Sequence, residues 1–120
     1  MASNSQGWPK LPKAVWTARG PMPVRVVKRL AVEGDEDGKE FRAWGAFGTG
    51  SRVIELEADA SPATQWATLF HEIVEAALWD TGVHNLMPAE PLKEAVCDAI
   101  GGYLAGMVKY GGLTLKGPAA

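Results

Sequence analysis

Three residues of one short segment, His71, Glu72 and Glu75, are of types that hold metal ions and move protons. On a helix at 100° per residue, Glu75 lies about 40° and Glu72 about 100° from His71, so all three share one face. A His and a carboxylate four residues apart stand one above the other, where both can reach a single cation. The residue directly after the first ligand points beside that cation, where a carboxylate serves as base toward a bound water. Any amphipathic helix also shows a polar stripe, so this segment alone leaves both readings open. Glu94 and Asp98 are again four apart, among the small residues Ala95, Gly101, Gly102 and Ala105. Like charges at this spacing weaken an isolated helix, and each helical glycine costs about 1 kcal/mol against alanine. Both costs are accounted for if this face packs closely on the first helix. Glu94 would then meet a cation, and Asp98 would accept a hydrogen bond from the imidazole. A solvated acidic face is the other reading, and it leaves the glycines unexplained.

The elements that must position these residues are marked by local signals. Ser61 followed by Pro62 is a cap with proline at the first helical position, and Gly82 stands where a left-handed cap ends a helix, which predicts a helix over 62–81. Its apolar arc, Trp66, Leu69, Phe70, Ile73, Val74, Ala76 and Ala77, is the docking face. A second helix is expected from near Pro91 to about Tyr110, after a loop over 83–89. Before residue 60, the β-branched run 24–30 predicts a first strand, followed by an acidic turn over 33–38. Segments 41–47 and 52–57, joined by Gly48-Thr49-Gly50, predict a hairpin. Residues 1–23 hold four of the eight prolines together with Trp8 and Trp16, and read as an extended arm partly docked on the body. Residues 113–120 read as a loose tail, leaving 24–112 as one domain. The expected class is α+β: a small antiparallel or mixed sheet, then an active-site helix and a supporting helix.

Composition removes several classes of function. With 120 residues, 47% apolar and 22% charged, the chain can bury one core. Twelve basic residues against fourteen acidic ones give a net charge of −2, so no basic field exists to hold a phosphate backbone, and nucleic acid is not an expected partner. No run of about eighteen apolar residues occurs and the first residues are polar, which reads as a cytoplasmic protein without a membrane span. Cys97 is alone, so neither a disulfide nor a thiolate zinc cluster is expected; its place on the second helix suggests a small buried hydrophobe. Trp44, Trp66 and Trp79 are read chiefly as core, with a wall of a peptide cleft as the other possibility.

His71-Glu72-Ile73-Val74-Glu75, followed nineteen residues later by Glu94-Ala95-Val96-Cys97-Asp98, resembles the HExxH and ExxxD layout of gluzincin-type zinc metallopeptidases. The phrase Thr68-Leu69-Phe70-His71-Glu72 and the chain length are similar to small HExxH proteins encoded by phages and prophages, including the ImmA/IrrE-like, SprT-like and minigluzincin groups. The resemblance covers about residues 45–108. It implies a sheet edge lining the cleft, His71 and Glu94 as ligands to one divalent metal, usually zinc, Glu72 as general base, and Asp98 orienting His71. A peptide or protein would be the substrate or partner. The departure is Glu75, which stands where the family has its second His. A His/Glu/Glu set acidifies a bound water less than His/His/Glu and, being harder, admits manganese or iron more readily. His84, thirteen residues after His71, is the alternative imidazole if its loop folds back. The implied function is metal-dependent peptide-bond hydrolysis. The alternative is a catalytically inactive adaptor that keeps the scaffold for protein binding, and a third reading is a self-associating virion component.

Overall fold

The computed structural model describes residues 7–28, 32–34, 40–42 and 44–117. Six short strands come first: β1 (Ala14–Thr17), β2 (Gly20–Val27), β3 (Val32–Gly34), β4 (Glu40–Arg42), β5 (Gly45–Phe47) and β6 (Ile54–Glu57). Helix α1 (Pro62–Thr81), a single 3-10 turn (Val83–Leu86) and helix α2 (Glu90–Gly111) follow. The strands form a mixed four-stranded sheet in the order β1-β2-β6-β5, while β3 and β4 make a separate two-stranded ladder. The protein is therefore α+β, a small sheet followed by two helices. No helix among the described residues is long and apolar enough to cross a membrane.

Both helices end where their residues dictate. The Ser61 side chain accepts from the Thr64 backbone N–H, Pro62 opens α1, and Gly82 closes it at φ 77°, in the left-handed region that favours glycine. Gly112, also at φ 77°, closes α2 in the same way.

The sheet departs from expectation at its first half. Where residues 1–23 read as an arm, residues 14–17 and 20–23 are strand, and the expected boundary at residue 24 falls inside β2. The prolines that hide this strand are accommodated by register. Val24 donates its N–H to Lys13 O across β1 (2.9 Å), so the nitrogens of Pro21 and Pro23 point the other way. Pairing with β6 on that side begins only at Val24↔Ile54, so neither proline removes a ladder bond. The β2–β6 pair is parallel and its connection passes through β3–β4 and β5, which makes the sheet mixed. The single strand expected over 41–47 is two, with Phe41 and Arg42 pairing to Glu33 and Val32 rather than to β6. Glu33 and Gly34, read as part of a turn, lie in β3. Residues 29–31, 35–39 and 43 fall outside the described residues, as do 1–6 and 118–120.

One core holds the layers together. Met22, Ile54 and Leu56 from the sheet are fully buried with Leu69 of α1, and Trp66, Phe70, Ala76, Ala105 and Val108 complete the helical side. Trp8 enters from the N-terminal segment, stacked on Trp66 (ring centroids 6.5 Å, 18°), whose indole N–H donates to Pro9 O at 3.1 Å. The tail is not loose over its described part: Leu113 and Leu115 pack on the core, and the Leu113 N–H donates to Met107 O. The β5–β6 connection is closed by Arg52, which holds a left-handed φ of 57° and grips Asp80 near the end of α1 through two bonds of 2.7 and 3.0 Å.

Because Trp8 is 5% exposed in this core, Trp8→Ala should cost about 3 kcal/mol. Urea unfolding measures it, and a loss within error would return the N-terminal segment to the status of a peripheral arm.

Candidate metal centre

α1 and α2 approach most closely where α2 has no side chain. A Cβ on Gly101 would stand 2.9 Å from the His71 backbone N, 3.1 Å from Ala67 O and 3.2 Å from His71 Cα. This contact brings Glu94 and Asp98, two turns and one turn earlier on α2, over the polar face of α1. Gly102, the other glycine of the pair, meets nothing within 4 Å and plays no part in it.

His71 sits among carboxylates. Its Nδ1 is 2.7 Å from Asp98 Oδ1. Its Nε2 is 3.0 Å from Glu94 Oε2, 3.8 Å from Glu75 Oε2 and 4.0 Å from Glu72 Oε2. Ligand atoms of His71, Glu72 and Glu75 all lie within 4.8 Å of one another. Asp98 is mostly exposed, with 74% of its side chain in contact with solvent, so its pairing with the ring adds little stability. Its consequence is orientation: the contact with Asp98 fixes the ring so that Nε2 faces Glu94. At 3.0 Å the Nε2 to Glu94 contact needs a shared proton, or a cation in its place. Four carboxylates stand around this one imidazole, and of them Glu72 and Glu75 form with His71 a group whose ligand atoms could hold a metal ion. Two ligand atoms about 2.0–2.2 Å from a tetrahedral ion stand about 3.3–3.6 Å from one another; the 3.0 Å to Glu94 is shorter than that and is a hydrogen-bond distance, while the 3.8 Å to Glu75 and 4.0 Å to Glu72 are slightly longer.

Glu72 is the buried member, 6% exposed. Burial, first, and then the charge of Glu75, a hydrogen bond shared with Glu75 and the charge of Glu94 push its carboxyl up to about 8. Without a cation it therefore holds its proton at neutral pH. Lys93 senses Glu75 and Glu94 but is tied to Glu90 at 2.7 Å.

Beside His71 and Glu72 opens a cavity of about 250 Å³, lined also by Trp44, Gly45, Ala67, Thr68 and Asp98. Trp44 and Gly45 bring in β5, the edge strand of the main sheet. Gly45 is required there, because a Cβ would collide with Thr68 Cγ2 and hold the strand off α1. Nothing in the spacing of the sequence announces Gly45 or Ala67 as lining residues.

His71, Glu72, Glu75, Glu94 and Asp98 are thus brought together. His84 is not: its ring stacks on Trp79 (4.4 Å, 22°), eight residues or about 12 Å along α1 from His71. Of the three tryptophans, Trp66 is core, Trp79 carries His84, and Trp44, 46% exposed, walls the cavity. Cys97 is 1% exposed, and burial followed by the charges of Glu75, Glu94 and Glu72 raises its thiol to about 11, which excludes a thiolate nucleophile at neutral pH. Comparison with family models, curated proteins and solved structures finds no match for this chain.

Two predictions follow from the geometry. Gly101→Ala gains about 1 kcal/mol of helix propensity but must push backbone rather than a flexible side chain, so a net loss of about 1–3 kcal/mol is expected in thermal or urea unfolding. A stabilised variant would mean that the helices are not in close contact. The second concerns the protein in EDTA. Glu72 has its folded value raised above its unfolded one, so its contribution is fully present below about pH 4.5 and is lost as pH rises through about 8. Melting temperature in EDTA should fall over that window, and Glu72→Gln should flatten the fall. Parallel curves for the two proteins would show Glu72 to be solvated.

Proposed function

We propose that this chain is a zincin-like, metal-dependent hydrolase acting on peptide bonds in the cytoplasm, with His71, Glu75 and Glu94 holding one divalent cation and Glu72 as the base. One observation carries the reading. His71, turned by Asp98 at 2.7 Å, aims Nε2 at Glu94, Glu75 and Glu72, and the cavity that His71, Glu72 and Asp98 line is walled by a sheet edge. Bound there, the cation supplies Lewis acidity, polarising a carbonyl and acidifying a water.

The chain's own residues supply the rest. Glu72, buried and short of solvent, accepts a proton from a water seated in the cavity and returns it to the departing amine nitrogen. Asp98 holds the His71 ring in one tautomer and one orientation, at no cost in charge at the centre. Trp44 and the backbone of β5 border the cavity on the side where an extended chain would lie. Glu75 makes the donor set harder than two imidazoles would, so manganese or iron(II) should compete with zinc on better terms than at a His/His/Glu centre.

Elemental mass spectrometry of tag-free protein, purified without chelators, tests the proposal. About one transition metal per chain is expected, absent from His71→Ala and from Glu94→Ala. Glu72→Gln should keep the metal and lose peptide hydrolysis by about 10²–10⁴-fold. Protein that takes up no metal after equilibration with zinc and manganese would overturn the reading. Metal retained, with no hydrolysis for Glu72→Gln to abolish, would assign the scaffold to protein binding instead.

A further inference from the structure

α2 turns Cys97, Gly101, Ala105 and Val108 inward. Its opposite side is apolar and, among the described residues, uncovered. Taking Tyr103 as zero at 100° per residue, Val96, Ala99, Met107 and Tyr110 fall within about 40°, with Ile100 beside them. The two charged residues between 95 and 111, Asp98 and Lys109, lie more than about 100° away. Tyr103 is 78% exposed, Tyr110 81%, Ile100 43% and Met107 42%. Beside this ridge of large side chains runs a smooth track, because a Cβ on Gly102 or on Gly106 meets nothing within 4 Å. Ridge and track together form a groove of about 580 Å³.

We infer that this face pairs with the same face of a second copy of the chain. A two-fold axis across α2 lays the Tyr103 and Met107 ridge of each copy on the Gly102 and Gly106 track of the other, an isologous contact that needs no other surface. The area reaches what a small specific dimer needs. The four large side chains expose on the order of 500 Å², and Leu92, 46% exposed, with Ala95 and Ala99 carries the face past the roughly 500 Å² per partner of the smallest specific interfaces. A patch of this size is at the upper end of what a monomer carries, and patches of that size often serve as contact sites. Lys109 folds its ammonium over the Tyr110 ring at 5.2 Å, and no other charged residue between 95 and 111 stands on the face, which disfavours a charged peptide or nucleic acid as its occupant. The inference does not rest on the metal reading, since Glu94 and Asp98 leave the helix on the other side.

Light scattering coupled to size exclusion, run from low to high micromolar protein, is the test. Twice the chain mass is expected for the native sequence and for His71→Ala, and the single-chain mass for Tyr103→Glu, with circular dichroism unchanged. Gly106→Leu separates a fitted dimer from a sticky surface. It raises both helix propensity and hydrophobicity while filling the track, so the dimer should weaken at least tenfold. A native protein that stays at single-chain mass throughout overturns the inference, and so does Gly106→Leu associating more strongly. If Tyr103→Glu fails to fold, the Gly106→Leu result decides.

Discussion

The contact on which the rest of this protein depends is the backbone-to-backbone approach of α1 and α2 at Gly101 and His71. No side chain separates the helices there, so Asp98 one turn earlier reaches His71 Nδ1 at 2.7 Å and Glu94 reaches Nε2 at 3.0 Å. Short carboxylates have little reach. A shift of one or two ångströms between the helix axes would leave the imidazole with Glu72 and Glu75 of its own helix and return the acidic residues of α2 to water. A helical glycine is destabilising in isolation, and here that cost is what makes the cluster geometrically possible. Gly45 plays the same part on the other wall, letting β5 lie against Thr68.

The second constraint is charge. Glu72, Glu75, Glu94 and Asp98 surround one histidine, and Glu72 is nearly sealed from solvent. In the absence of a cation the cluster relieves itself by keeping a proton on Glu72, shared with Glu75. A divalent ion would replace that proton, so metal uptake and release of a proton near neutral pH are two descriptions of one event. By the same coupling a bound cation would favour the ionised form of Glu72, the form that can take a proton.

How much of this is legible in the sequence depends on whether the cause is local. The bounds of α1 follow from Ser61, Pro62 and Gly82, and the shared face of His71, Glu72 and Glu75 follows from helical geometry alone. The pairing of Glu94 and Asp98 with His71 was within reach because like charges and glycine in one helix need a reason. What stayed hidden was non-local. Pro21 and Pro23 argue against a strand until the register shows their nitrogens on the side where no partner has yet begun. The split at residues 42–45 depends on which strand each half finds. The roles of Gly101 and Gly102 look alike in sequence, and only packing shows that one faces α1 and the other faces open space.

Arg52 shows how the sheet is held to the site from a distance. Its φ of 57° is unfavourable for a side chain with a Cβ, and the turn gains its closure from Gly48, whose carbonyl accepts from the Arg52 N–H at 2.7 Å. The fork–fork pair with Asp80 raises the guanidinium and lowers the carboxyl from their ordinary values, chiefly through the hydrogen bonds themselves. Its energetic worth is modest at this exposure, but its placement is not incidental. It ties the turn that orients β5 to the C-terminal end of α1, while Gly45 and Thr68 tie the start of β5 to the helix near His71. An edge strand three residues long has few ladder bonds of its own, so these two attachments keep its backbone beside the cavity rather than frayed into solvent.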